Sequence, residues 1–307
     1  MTAQSGFSRR GWLLFAAMCL LWGVPYLFIS VAVESFSPPA IVAGRTLIAA
    51  LLLLPFAIRS GALRPALKMW PWVLAFGLVE MAGPFVLLGH AEMTLPSGMT
   101  GLLVATVPLF AALIALGGGD RAVLRPARAI GLIVGFIGVA IVVAGPGLFG
   151  GDVSLLAAGE VLLVAVLYAI APFIVARKLG DVPSLGTITL SLMMIGILYL
   201  PIGLLTQHEV PTLPSIGAML TLAVVCTAIA FLAFFALIRE VGPVRAPLFT
   251  YVNPVVAIIL GAIVLAEPLT PGLLIGFPLI IAGCWFAGTG GRLRPAASAP
   301  APLPPAP

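Results

Sequence analysis

Two charged side chains, Arg45 and Glu80, lie inside long apolar stretches of this sequence. An arginine near the centre of a membrane helix costs about 2.5–3.5 kcal/mol, so we expect it to be paired or to face a wet cavity. Its fork of N–H donors suits a carboxylate ligand. A carboxyl group at that depth must be protonated or have a partner. The two residues therefore predict either a structural ion pair or a site where Arg45 binds a carboxylate and Glu80 carries a proton or binds an amine. The alternative for Arg45 is that it snorkels outward or ties helices together structurally.

The depth of these groups follows from their position along their segments. Arg45 lies roughly 9 Å from the outer end of its helix, and the depths of Arg45 and Glu80 differ by a similar distance. Glu160 and His90 lie nearer the outer ends of their segments, which is typical of interfacial or surface residues. A role for His90 as an outer gate is the alternative.

Aromatic and polar side chains in other apolar segments could complete a substrate pocket, by stacking on a ligand or covering a cation. Ordinary helix packing is the alternative for each of them. The candidates are Trp22, Tyr26, Tyr168, Thr250, Tyr251 and Asn253. The three cysteines lie within apolar segments without metal-ligand spacing, so the sequence predicts neither a metal site nor a cofactor.

The elements that must position these groups are long apolar helices. Hydrophobic residues make up 62% of the 307 residues and charged residues only 8%, against about 25% charged in soluble domains. The pattern predicts an all-α polytopic membrane protein with ten transmembrane helices. The predicted segments are Trp12–Val33, Pro39–Ile58, Trp72–His90, Ser97–Leu116, Ala127–Val143, Leu155–Val175, Leu185–Leu205, Ser215–Ile238, Pro243–Leu265 and Leu273–Ala287.

Basic residues fall in alternate gaps between these segments, for example Arg64 and Arg177. The other gaps hold acidic residues instead, namely Glu34, Glu92, Asp152, Glu209 and Glu267. Because basic loops stay in the cytoplasm, this alternation predicts ten crossings with both termini cytoplasmic. The basic excess is then the cytoplasmic flank of the helices and does not indicate nucleic-acid binding.

The two halves of the sequence repeat each other. Residues 85–108 align without a gap on residues 231–254, so that Pro108 corresponds to Pro254. Since five helices per repeat is an odd number, the second copy must insert with the opposite orientation, as in many transporters. We expect a cytoplasmic N-terminus at 1–11, repeats at 12–147 and 148–290, and a disordered Ala/Pro-rich cytoplasmic tail at 291–307.

Helix breakers lie near the predicted mid-membrane level of several segments: Gly23, Pro25, Pro84, Pro108 and Pro254. A proline removes a helical hydrogen bond, and free backbone groups in a membrane must be buried or face water. These residues are candidate hinges, with packing kinks as the alternative. Three glycines of the fifth segment, Gly131, Gly135 and Gly138, predict close helix packing.

Several motifs resemble the EamA-type carriers of the drug/metabolite transporter superfamily over residues 12 to 290. The markers are Leu21-Trp22-Gly23, Pro39 with Arg45, Val107-Pro108-Leu109, Asn253-Pro254-Val255 and Ala266-Glu267-Pro268-Leu269-Thr270. The chain departs from the family pattern at Gly117-Gly118-Gly119-Asp120, where a glutamate is usual, and at Leu167-Tyr168, where a tryptophan is frequent. The resemblance implies a small-metabolite carrier, often an exporter of amino acids or related compounds.

Together these features predict a secondary transporter that exports a small metabolite, an amino acid or related zwitterion, by alternating access. The alternatives are a facilitator, a drug-efflux carrier, an intramembrane enzyme or a channel; no protease motif supports an enzyme. We expect a multi-pass protein of a bacterial plasma (inner) membrane, monomeric or homodimeric. Its expected partners are a small-molecule substrate, the lipid bilayer and protons.

Overall fold

The computed structural model describes residues 8–149, 154–242 and 245–289. Within these ranges ten helices are long and apolar enough to cross a membrane, which confirms the predicted number. Labelled α1 to α10 in chain order, they are Arg9–Val33, Pro38–Arg59, Trp70–Ala91, Ser97–Gly117, Pro126–Ala144, Leu155–Leu179, Ser184–Thr206, Leu213–Val241, Ala246–Val264 and Pro271–Thr289. Helix α5 itself continues to Phe149.

Some sequence-based predictions fall outside the described residues. These are the tail at 291–307, most of the N-terminal segment, Asp152 at the junction of the halves, and Pro243, the predicted start of the ninth segment. The described part of α9 begins at Ala246 with a 3₁₀ turn that extends to Tyr251.

Polar caps explain where several of the helices begin. The Ser37 hydroxyl accepts a hydrogen bond from the Ala40 N–H at the start of α2, and the Ser154 hydroxyl caps α6 through the Ala157 N–H. Pro38 and Pro39 occupy the first turn of α2, where a helix does not need the missing N–H. The sequence therefore sets these helix starts locally.

Large apolar side chains cover the outside of the bundle. Examples are Leu51, Ile133, Leu163 and Leu204, all of which are exposed. An apolar outer surface of this kind is stable against lipid but not against water. The bundle therefore presents the surface of a membrane-embedded protein.

Glycines allow helices α5 and α10 to pack closely. A Cβ at Gly131 would lie 2.5 Å from the Ala287 nitrogen, and one at Gly138 would lie 2.9 Å from the Ile280 nitrogen. A Cβ at Gly283 would collide with the backbone of Gly135. The structure confirms the prediction that the α5 glycines serve helix packing.

The pairing of the helices is symmetric with respect to the two halves of the chain. Extensive contacts join α5 to α10, α2 to α7, α4 to α9, α3 to α6 and α1 to α8. Each helix of the first half has a counterpart five helices later, so that α1 corresponds to α6 and α5 to α10. When every helix is replaced by its counterpart, the first three pairs stay the same, and the α3–α6 pair becomes the α1–α8 pair. The bundle therefore has the contact pattern of a pseudo-two-fold arrangement.

Helix interruptions also repeat between the halves. A π-helical segment covers Leu78–Ala82 in α3 and another covers Val224–Ile229 in α8. α4 is interrupted before Val107 and α9 before Asn253. Each pair starts 146 residues apart, the offset of the sequence repeat.

Helix α1 is also interrupted, between Leu21 and Pro25. Its counterpart in the second half, α6, is continuous over Leu155–Ile174 and ends in a π-helical segment, Val175–Leu179. All five predicted helix-break residues lie at or next to an interruption. Their local chemistry accounts for this placement, because proline cannot donate the next helical hydrogen bond.

Contacts between helix ends follow the alternation of charge in the gaps. At the end with the acidic gaps, side chains join Gln207 to Ser37 and Glu267 to Ser97. At the end with the basic gaps, they join Ser8 to Glu240 and Lys178 to Trp72. Each of these contacts therefore joins helix ends that belong to gaps of the same charge class.

Candidate functional site

Arg45 is buried in the bundle, with 6% of its surface exposed. Its Nε donates a hydrogen bond to the Thr227 hydroxyl at 2.9 Å. Thr227 lies in the π-helical segment of α8, and its hydroxyl donates in turn to the carbonyl of Leu222, five residues earlier. The wider π turn therefore holds Thr227 in place as an acceptor for Arg45.

An aromatic ring covers the guanidinium group of Arg45. The Arg45 Cζ lies 3.9 Å from the centre of the Phe85 ring. Phe85 follows Gly83 and Pro84, at the point where α3 leaves its π-helical segment. A cation over an aromatic face gains about 0.5–2 kcal/mol, with the larger values where water is excluded. This contact stabilises a charge that would otherwise be costly in the membrane.

The predicted structural ion pair between Arg45 and Glu80 is absent from the described residues. Glu80 lies within the π-helical segment of α3, five residues before Phe85, and is only partly buried. The charge of Glu80 acts on the Tyr168 phenol of α6. The predicted difference in depth explains why Arg45 and Glu80 do not pair. The Arg45 guanidinium lies over Phe85, which is five residues beyond Glu80 along α3.

Two of the predicted aromatic residues do lie around Arg45. Tyr26 on α1 and Tyr168 on α6 are within electrostatic reach of its guanidinium, as is the Cys226 thiol on α8. These groups come from three helices that are distant in sequence. The structure therefore brings together Arg45, Tyr26 and Tyr168, three of the residues that the sequence predicted for substrate binding.

The described contacts of the other predicted pocket residues lie elsewhere. Trp22 packs against Phe231, Phe234 and Phe249, with ring centroids 5.6, 5.1 and 5.3 Å away. Tyr251 packs edge-on against Trp285, at 5.8 Å between ring centroids. The side-chain oxygen of Asn253 is buried without a hydrogen-bond partner, and Thr250 is exposed and bonds to its own turn at Pro247.

A second buried charged residue, Glu92, lies just past the end of α3. It is only 6% exposed, although the sequence placed it in an outer gap. Its Oε2 accepts a hydrogen bond from the Ser30 hydroxyl at 2.8 Å, while its Oε1 is buried without a partner. Burial raises the pKa of the Glu92 carboxyl well above its ordinary value, and the Ser30 hydrogen bond opposes that shift.

His90 and Glu160 form an ion pair between α3 and α6. The His90 Nδ1 lies 2.8 Å from the Glu160 Oε2, and the side chains are 54% and 15% exposed. The sequence placed both residues near the outer ends of their helices, and the structure joins them there.

Comparison with known proteins gives the family. The model of the EamA-like transporter family matches residues 9–144 and, a second time, residues 155–289. The chain belongs to the EamA-like transporter family. Residues 145–154 separate the two matches, so the family model occurs twice in the chain.

Curated relatives of this EamA-like protein match nearly its whole length. An uncharacterized transporter of Bacillus subtilis, YvbV, is 30% identical over 93% of this chain and 94% of its own. The uncharacterized inner membrane transporter YedA of Escherichia coli K12 is 28% identical over 94% and 93%. A probable terminal-alkyne amino-acid exporter of Streptantibioticus cattleyicolor is 25% identical over 95% and 98%.

A crystal structure has the same fold as this EamA-like chain. The TM-score is 0.63 at 22% sequence identity, and the match covers 92% of this chain and 98% of the other. The family match confirms the predicted resemblance. The chain is a membrane transporter by family, with ten helices of membrane-spanning length.

Three residues around Arg45 were missed by sequence reasoning: Phe85, Thr227 and Glu92. Phe85 is one of many phenylalanines, and Thr227 lies in a stretch without proline or glycine to mark the π turn. Glu92 resembles an ordinary loop carboxylate in sequence. The one available signal was its place two helical turns beyond Phe85 on the same helix face.

Proposed function

We propose that this EamA-like protein is a secondary transporter that exports small zwitterionic metabolites, with amino acids as the substrate class. The observation that carries the proposal is the state of Arg45. It is buried, and within the described residues its hydrogen bonding is limited to one bond from Nε. Its terminal amino groups are therefore free to bind a carboxylate in the forked geometry that guanidinium favours.

The surroundings of Arg45 support a ligand site over a purely structural one. Phe85 and Thr227 hold the guanidinium without neutralising it, because neither carries a charge. A buried cation held by neutral groups retains its field for an incoming anion. The Streptantibioticus relative, named as a probable terminal-alkyne amino-acid exporter, supports amino acids as the class to test.

Alternating access is proposed as the mechanism because the bundle is pseudo-symmetric. Helix pairing and helix interruptions both repeat between the halves. Inverted repeats of this kind give two nearly equivalent conformations, one open to each side. The alternation of basic and acidic gaps supports cytoplasmic termini in a bacterial plasma membrane.

The test is efflux of preloaded radiolabelled amino acids from proteoliposomes, with and without an imposed pH gradient. We expect wild-type protein to release an amino acid, and Arg45→Ala to raise its half-saturating concentration about 10- to 100-fold, since a hydrogen bond to a charged group contributes about 1.5–3 kcal/mol. Arg45→Lys keeps the charge but loses the fork, so its defect should be intermediate.

The matched control is Arg64→Ala, which removes an exposed arginine from the short helix Leu63–Lys68 between α2 and α3. It should transport like wild type. Gradient-independent efflux would identify a facilitator. Absence of efflux for every amino acid, or normal efflux by Arg45→Ala at equal abundance, would refute the proposal.

A further inference from the structure

Glu92 is a buried carboxyl group that its surroundings only half satisfy. Oε2 accepts one hydrogen bond from the Ser30 hydroxyl, and Oε1 is enclosed without any partner. No described basic group forms an ion pair with Glu92. A carboxylate in such a place lacks both hydration and a counter-charge, which favours the protonated form. The proton then belongs on the unpartnered Oε1.

The helix geometry aligns Glu92 with Arg45. Phe85, which covers Arg45, precedes Glu92 by seven residues, and Glu92 lies just past the end of α3. The two side chains therefore share one face of that helix, roughly 10 Å apart along its axis. On α1, Tyr26 and Ser30 are four residues apart and also share a face. Tyr26 lies within electrostatic reach of both Arg45 and Glu92.

Arg45 and Glu92 act on each other electrostatically without forming an ion pair. Two buried groups that can carry opposite charges thus border the same face of α3: Arg45 lies over Phe85, and Glu92 follows roughly 10 Å further along that face. A zwitterion can bridge such a pair. Its span is the distance between its own ammonium and carboxylate groups plus one hydrogen bond of about 2.8 Å at each end.

We propose that Glu92 is the amine end of the substrate site whose carboxylate end is Arg45, and that the ammonium group of the substrate replaces a proton on Glu92. This inference rests on the proposed function. One protonated carboxyl and one ammonium ion become a carboxylate–ammonium pair and one free proton. Each amine bound therefore releases one proton to water, which links export of the substrate to inward movement of a proton.

The other ionisable groups near Glu92 are compatible with this exchange. The Glu267 carboxylate, from the loop between α9 and α10, favours the protonated form of Glu92, and Arg45 on α2 favours the ionised form. The Tyr26 phenol faces it from α1. On α6, Glu160 is already paired with His90.

Glu80, the sequence-based candidate for proton coupling, is placed less well for this role. It precedes Phe85 by five residues, on the side away from Glu92, and Arg45 is not among the groups on which its charge acts. Glu80→Gln is therefore the matched control for Glu92→Gln. Glu80 lies within α3 and Glu92 just past its end, and each substitution replaces a carboxyl group by an amide of the same shape.

The experiment is calorimetric titration of purified protein in buffers of different ionisation enthalpy. The probes are L-propargylglycine and L-leucine, each beside its deamino counterpart, 4-pentynoate and 4-methylpentanoate. Wild type and Glu80→Gln should release about one proton per amino acid and none per deamino acid, as the balanced exchange requires. Glu92→Gln should release none and bind each amino acid only as tightly as its deamino counterpart.

An infrared difference spectrum of wild type keeps the inference testable if Glu92→Gln fails to fold. Amino-acid binding should remove a band of a protonated carboxyl and add a carboxylate band. Amino-acid binding without proton release, or unchanged proton release in Glu92→Gln, would overturn the exchange but leave the transporter proposal standing. Failure of every probe to bind would overturn both.

Discussion

The Glu267 carboxylate caps the helix that begins at Ser97. Its Oε1 accepts the Ser97 N–H at 2.7 Å, and its Oε2 accepts the Gly98 N–H at 3.0 Å. The two residues are 170 positions apart, in opposite halves of the chain. A carboxylate at a helix N-terminus satisfies backbone donors and interacts favourably with the helix dipole. This contact joins the end of α9 to the start of α4.

Replacing Glu267 should therefore destabilise the protein. We expect Glu267→Ala to lower the free energy of unfolding by about 1–2 kcal/mol, the usual cost of a lost cap. The measurement is thermal unfolding of the purified protein in detergent. Glu209→Ala removes an exposed acidic residue of another gap and should change the melting temperature little. Equal effects of the two substitutions would refute the capping role.

Stability should fall as pH rises because of Glu92. Burial raises the folded-state pKa of its carboxyl well above its ordinary value, which is about 4.3. A raised pKa means that the stabilising contribution is fully present below that ordinary value and is lost as pH rises through the folded pKa. The melting temperature of wild type should therefore drop between acidic and alkaline pH more than that of Glu92→Gln. Parallel curves for the two proteins would contradict this assignment.

The contact between Phe85 and Arg45 should appear as a coupling energy. Phe85→Leu and Arg45→Met, alone and together, form a double-mutant cycle that isolates the pair. The expected coupling is about 0.5–2 kcal/mol, because a desolvated cation lies over the ring. Chemical unfolding in mild detergent supplies the four stabilities. Additive losses would mean that the ring only fills space.

Gly283 should be intolerant of any side chain. An added Cβ would collide with the backbone of Gly135, so Gly283→Ala forces α5 and α10 apart. We expect a strong loss of folded protein in size-exclusion chromatography. Gly159→Ala and Gly217→Ala are controls, because a Cβ at either position meets nothing within 4 Å. Wild-type behaviour of Gly283→Ala would show that the two helices can separate freely.

The predicted membrane topology can be tested by cysteine labelling. Single cysteines at Glu34 and Glu209 should react with an impermeant reagent in intact cells. Cysteines at Arg64 and Arg177 should react only after the membrane is opened, because basic gaps are cytoplasmic. The native cysteines are all buried, which keeps the background low. A mixed pattern would refute the inverted arrangement of the halves.

The sequence by itself determined the ten helices and most of their interruptions. Length and hydropathy fix a membrane helix locally, because each segment must satisfy its own backbone hydrogen bonds in lipid. The breaks at Pro25, Pro108 and Pro254 follow for the same local reason, since proline removes one of those bonds. Arg45 was recognisable as a candidate site residue because a charge in a long apolar run is rare.

Only the tertiary structure decided which groups surround Arg45. Thr227, 182 residues away, reaches it through a π turn that has no proline or glycine to announce it. Phe85 rather than Glu80 meets the guanidinium, and Glu92 is buried although its sequence context is that of a loop. These outcomes depend on how helices rotate and pack against partners far along the chain, which local residue patterns do not encode.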